Sequence, residues 1–211
     1  MTDTANLISA LVADAPPVRR LRPPLVRAAL WLGLAAVVFV LLGMLLGHAP
    51  DEAGNSGLAA RIGLAASLLT GVLAAIAAVH VALPDRSPAW ALLPLPSFVV
   101  WFAAVGYGCL TDWVGVGPGG LMWGMTAQCV AMAAVVGLPL GLAMLSMLRR
   151  ARPLRPGLAA ATAGLAVAAL SATAHTLFHG ADASVIVLIL NLGPVALIAG
   201  LGVGLRSRTL A

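Results

Sequence analysis

The chain of 211 residues is 61% hydrophobic and only 9% charged, too little polar surface to coat a soluble globule of this size. A water-soluble single domain is excluded, and an integral membrane protein is indicated. The basic residues are all arginine and outnumber the acidic ones, for a formal net charge of +5, but they are dispersed along the chain and form no basic face. No direct contact with nucleic acid is expected.

In chain order, the first feature is a tail, residues 1–23, the one sizeable stretch not committed to a bilayer. Thr2, Asp3 and Thr4 are candidate helix caps. At about 100° per residue, Leu7, Ile8, Leu11 and Val12 fall on one stripe, and Asn6, Ser9, Ala10 and Ala13 on the other. An amphipathic helix of about three turns is predicted. Pro16-Pro17 ends it, because the residue before a proline disfavours helical geometry. Arg19, Arg20 and Arg22 then anchor the chain near anionic headgroups. One reading is a helix that merely lies on the bilayer, although such helices are rich in lysine or arginine on the polar face and this one has neither. Its pattern fits a docking helix that lays its apolar stripe into a groove of a cytoplasmic partner.

Six apolar runs follow, at approximately 26–47, 58–83, 90–109, 125–148, 157–178 and 184–205. Each is near the roughly 20 residues needed to cross a hydrocarbon core of about 30 Å. The first is longer than the apolar region of a signal peptide and lacks a convincing small-residue cleavage site, so it is expected to stay as a helix. The expected fold is all-α: a polytopic bundle of six transmembrane helices over residues 24–211, with no second folded domain. With the amino terminus inside, the inner face gathers Arg19, Arg20, Arg22, Arg27, Arg86, Arg149, Arg150, Arg152, Arg155, Arg206 and Arg208. The outer face keeps Arg61 beside Asp51, Glu52, Asp112 and Asp182. The positive-inside rule then places both termini in the cytoplasm.

Arg and Pro clusters precede the first, third and fifth runs, a weak hint of three repeated hairpins. Small residues four apart, at Gly137 and Gly141, at Ala160, Gly164 and Ala168, and at Gly200 and Gly204, predict close helix approach. Trp90 is expected near the inner interface and Trp113 and Trp123 near the outer one. Pro94, Pro96, Pro139 and Pro194 fall within the runs and predict kinks. Broken helices also characterise transporters with a midplane site, which would carry ionisable groups at that depth. Here Asn191 and His80 are the main polar residues apart from hydroxyls, and His80 is read as a packing residue. A small six-helix transporter is therefore the alternative reading.

Toward the outer side, Cys109 ends the third run and Cys129 lies inside the fourth. A disulfide in an oxidising compartment, two buried unreactive thiols and a switching redox pair all remain open. A thiol oxidoreductase would want an exposed Cys-x-x-Cys, which is absent from the sequence, and no enzymatic activity is expected. His175 and His179 are four apart on one helix face, a spacing that suits metal ligation or pH sensing. Two histidines are not a metal site, and interfacial histidines facing water or headgroups are the plainer reading. No cofactor is expected.

Several strings carry a family resemblance. They are Thr2-Asp3 with Leu7-Ile8-Ser9-Ala10-Leu11, then Ala13-Asp14-Ala15-Pro16-Pro17-Val18-Arg19-Arg20-Leu21-Arg22-Pro23-Pro24-Leu25, the most specific. Trp90-Ala91-Leu92-Leu93-Pro94-Leu95-Pro96, Gly108-Cys109-Leu110-Thr111-Asp112-Trp113, Leu138-Pro139-Leu140-Gly141 and Leu177-Phe178-His179 add to it. The chain resembles the NrsF family, negative regulators of sigma F. The resemblance implies a bacterial inner-membrane anti-sigma factor whose cytoplasmic tail holds an extracytoplasmic-function sigma factor away from RNA polymerase. On that reading Leu7, Ile8, Leu11 and Val12 make the contact, and a stress signal at the outer face releases the partner. Many members carry a cysteine after the Phe-His pair; here that position is Gly180. Cys109 and Cys129 are then the thiols left to sense with.

Overall fold

The computed structural model describes residues 4–13, 22–46, 57–116, 123–151 and 153–179. Among these there are six α-helices and one short 3-10 helix, with no strand. They are α1 (Thr4–Ala13), α2 (Pro24–Leu46), α3 (Leu58–Val81), the 3-10 helix Pro88–Leu92, α4 (Leu95–Val116), α5 (Trp123–Ala151) and α6 (Pro156–His179). Five segments are long and apolar enough to cross a membrane: α2, α3, the 3-10 helix with α4, the second part of α5, and α6. The sixth run, 184–205, with Asn191, Pro194, Gly200 and Gly204, lies outside the described residues.

Helix starts follow local chemistry. α2 and α6 open on Pro24 and Pro156, where the missing N–H costs nothing and φ is already helical. The third apolar run differs from expectation, because it divides into the 3-10 helix and α4. Ser87 Oγ accepts from Ala89 N at 3.2 Å to cap the short helix. Pro94 and Pro96 then flank the first residue of α4, and Ser97 Oγ donates to Pro94 O at 3.0 Å. These prolines start a helix and do not interrupt one. Pro139, by contrast, sits inside α5, whose helix continues through it.

The helices form an up-and-down bundle. Ser67 of α3 meets Thr173 of α6, and Leu170 of α6 abuts Gly71, so α3 and α6 run antiparallel. Arg27 and Trp31 of α2 reach Met147 and Leu140 of α5, which fixes that pair as antiparallel. Gly63 of α3 lies against Ala104 of α4, and Gly43 of α2 against Phe178 of α6. Accordingly α2, α4 and α6 point one way, with α3 and α5 opposed. The end where α2 begins also holds Arg22, Asp85, Arg86, Arg149, Arg150 and Arg155, whereas Arg61 and Asp112 sit at the opposite end.

α3 is the central element, packed by α2, α4 and α6. Its buried face is mostly alanine, with Ala74, Ala75 and Ala78 fully enclosed, and it meets Ala159, Ala163 and Ala166 of α6 in one core. Small side chains let the backbones close up, which is how helices associate where lipid removes most of the hydrophobic drive. The tightest approach is at Gly71: a Cβ there would lie 2.8 Å from Cγ and Cδ2 of the buried Leu170. Of the expected close contacts, Gly137 is one, with Ser171 Oγ 3.5 Å from where a Cβ would sit. Gly141 is not, since nothing approaches it within 4 Å. The large apolar side chains of α2 left exposed, such as Leu30, Leu34, Val37 and Leu41, form the kind of surface a bilayer covers.

Candidate partner-docking helix

α1 is ten residues long, TANLISALVA, and carries no charge. Three turns with good helix formers at Leu7, Ala10 and Leu11 favour the helix locally. Such a length is marginal without tertiary support. The four predicted contact residues lie on one stripe and are strongly exposed: Leu7 57%, Ile8 56%, Leu11 64% and Val12 69%. Asn6, Ser9, Ala10 and Ala13 are exposed too, so neither face is covered by the bundle. Four large aliphatic side chains on ten residues, all open, form an unusually apolar free surface for so small an element. The arrangement can do one chemical thing well, which is to bury that stripe against something else.

The anchoring residues are described only in part. Arg22 is exposed just ahead of α2, whereas Arg19, Arg20 and the Pro16-Pro17 stop lie outside the described residues, as do Thr2 and Asp3. From Arg22 the chain runs directly into the bundle, and α2 is fastened near its start. Arg27 Nη2 donates to Met147 O at 2.7 Å, and Trp31 Nε1 donates to Leu140 O at 3.0 Å. Both carbonyls belong to α5. Arg27, grouped in the sequence with the arginines of one membrane face, is buried at that end of the bundle, and Trp31 is fully enclosed. Sequence periodicity could not have picked out either one, since α2 is apolar all round and gives no face.

The candidate sensing residues lie at the opposite end. Cys109 is in the second half of α4 and Cys129 in the first half of α5. α4 packs chiefly on α3, and α5 on α6 and α2. The side chains of both cysteines, and those of Trp113, Trp123 and His179, lie outside the described residues. His175 is buried within the bundle, not facing water or headgroups as expected. Among the described residues no group of three or more His, Cys, Asp or Glu converges as a metal site would require.

One polar arrangement escaped the sequence reading, and a second agrees with it. Ser67 Oγ and Thr173 Oγ1 are 2.9 Å apart between α3 and α6, while Ser67 also reaches Leu64 O and Thr173 reaches Ala169 O. Two hydroxyl protons serve these three contacts, so the pair shares them. His80, read as a packing residue, is buried with Nδ1 2.8 Å from Ile76 O, and its ring stacks on Trp90 with centroids 4.3 Å apart. The buried hydroxyls occupy the bundle interior, whereas Arg27, His80 and His175 all sit toward helix ends. Among the described residues, no ionisable side chain is buried at mid-helix, where a transporter site would want one.

Fold and site together define a polytopic, all-helical membrane protein that presents a short, uncovered amphipathic helix outside its bundle. A family model described as NrsF, negative regulator of sigma F, matches residues 11–211, and the chain belongs to that family. The match begins at Leu11, so it takes in Leu11 and Val12 of the docking stripe and leaves Leu7 and Ile8 before it. No curated protein and no solved structure matches the chain. The family description is of a regulator that acts negatively on a sigma factor.

Proposed function

We propose that this chain is an anti-sigma factor of the bacterial inner membrane that holds an extracytoplasmic-function sigma factor through α1. The partner's groove takes Leu7, Ile8, Leu11 and Val12, while Arg19, Arg20 and Arg22 keep the tail at the headgroups. Both termini are cytoplasmic on this reading, and the arginine-rich end of the bundle faces inward. A signal at the outer face, to which the proposed orientation assigns Cys109, Cys129, His175 and His179, then alters the availability of α1. No catalytic step is needed.

The observation that carries the proposal is the open stripe of α1, which has no partner surface on the bundle among the described residues. The test is co-purification from the native membrane. The full-length chain should bring down a sigma factor, and a chain lacking residues 1–13 should insert normally and bring down none. Retention of the sigma factor by that truncated chain would place the contact elsewhere.

A further inference from the structure

Among the described residues Arg27 is the only buried residue that carries a permanent charge. One of its terminal nitrogens, Nη2, is satisfied by Met147 O at 2.7 Å, near the carboxyl end of α5 where the helix dipole concentrates partial negative charge. The other, Nη1, is buried with no hydrogen-bond partner. A guanidinium N–H shut away from water without an acceptor is strongly unfavourable, so the geometry asks for an anion. The one described acidic side chain at this end, Asp85, is exposed and lies 3.8 Å from Arg86, its chain neighbour. Further positive charge is nearby in the fold: Arg149 and Arg150 are within three residues of Met147 on the last turn of α5, and Arg22 is exposed just before α2.

We propose that this end of the α2–α5 seam is a binding site for the phosphate of an anionic phospholipid. Arg27 Nη1 is its central donor, and Arg149 and Arg150 supply its outer charge. One observation and two general properties favour phosphate. Arg27 is in the first turn or so of a membrane-spanning helix, the depth at which lipid phosphates are concentrated. A guanidinium presents a planar fork that matches phosphate oxygens. Basic pockets between transmembrane helices are a known way of holding acidic headgroups. Because Nη1 is covered by protein, the side chains over it must part for the headgroup to enter, so a bound lipid exchanges slowly and survives extraction. The site is independent of what α1 binds.

The test uses the full-length chain in a mild uncharged detergent, with native mass spectrometry and thermal unfolding as readouts. Wild type should retain a phosphatidylglycerol-class lipid, and added phosphatidylglycerol should raise Tm where phosphatidylcholine does not. Arg27→Gln should weaken that stabilisation at least tenfold in lipid concentration, and the surface pair Arg149→Gln with Arg150→Gln should weaken it several-fold. If Arg27→Gln does not fold, Arg27→Lys, which keeps the charge and loses the fork, should still show weakening. Equal stabilisation of wild type and all variants overturns the proposal, as does equal stabilisation by phosphatidylcholine. A Tm rise with inorganic phosphate alone, dependent on Arg27, would overturn the lipid assignment in favour of a free-anion site.

Discussion

Substituting Leu7→Asp together with Leu11→Asp should abolish capture of the sigma factor while leaving the bundle intact. Each of the four stripe residues is between 56% and 69% exposed, so a little over half of its burial energy is still available to a partner. With full burial of such a side chain worth about 1.5–3 kcal/mol, the four together offer about 4–7 kcal/mol. The double substitution removes roughly half of that, about 2–4 kcal/mol. It also presses two carboxylates against an apolar groove, at about 1–3 kcal/mol or more for each one left unpaired. At 1.4 kcal/mol per decade, affinity should fall by at least about a thousandfold. Aspartate is also a weaker helix former, by several tenths of a kcal/mol per position. Ser9→Asp on the opposite face corrects for this, and should cost no more than about threefold, or about 0.6 kcal/mol. The measurement is equilibrium binding of the co-purified sigma factor to the full-length chain in lipid nanodiscs. Affinity of the double variant within about threefold of wild type would refute the assignment of the stripe.

Gly71→Ala should destabilise the bundle by about 1–3 kcal/mol, because the new methyl meets Leu170 at 2.8 Å in a filled core; Gly141→Ala, with nothing near it, should change thermal stability little. Trp31→Phe deletes the donor to Leu140 O and should cost about 1 kcal/mol, read as a lowered unfolding midpoint in detergent. Cys109→Ser with Cys129→Ser should leave unstimulated repression intact in a sigma-dependent reporter strain, since both positions lie toward the end of the bundle away from the start of α2. Loss of an oxidant response in the same strain would assign the thiols to sensing.

Much of the architecture is legible from hydropathy alone, because a bilayer demands long apolar runs and helices satisfy their own backbone. That constraint puts the ends of α2, α3, α5 and α6 within a few residues of the expected bounds. The split at Leu93 and Pro94 is less readable: proline signals a break equally at a helix start and in its interior, and only Ser97 bonding to Pro94 O shows which. The burial of Arg27 is unreadable for a related reason. An arginine at a helix entrance is ordinarily a surface charge, and its burial depends on where α5 ends in space. The stripe of α1 is legible because it stands on a segment with a polar side, whereas α2 has no face to read.

The route by which a change in the bundle could alter α1 is restricted by connectivity. α1 has no substantial packing against the other described helices, so its link to them is the chain that enters α2. α2 is tied to α5 near its start by the Arg27 and Trp31 bonds, and it also packs on α3 and α6. At its far end Gly43 lies beside Phe178, one turn beyond His175 on α6. On the proposed function, a displacement of α6 at the end bearing His175 would pass into α2 through the Gly43–Phe178 contact and reach the tail at the end of α2 fastened to α5. On the proposed function, weakening that fastening should change how α1 is presented without touching its stripe. Trp31→Phe is then expected to shift the signal threshold in a reporter strain while leaving the affinity of α1 for its partner unchanged.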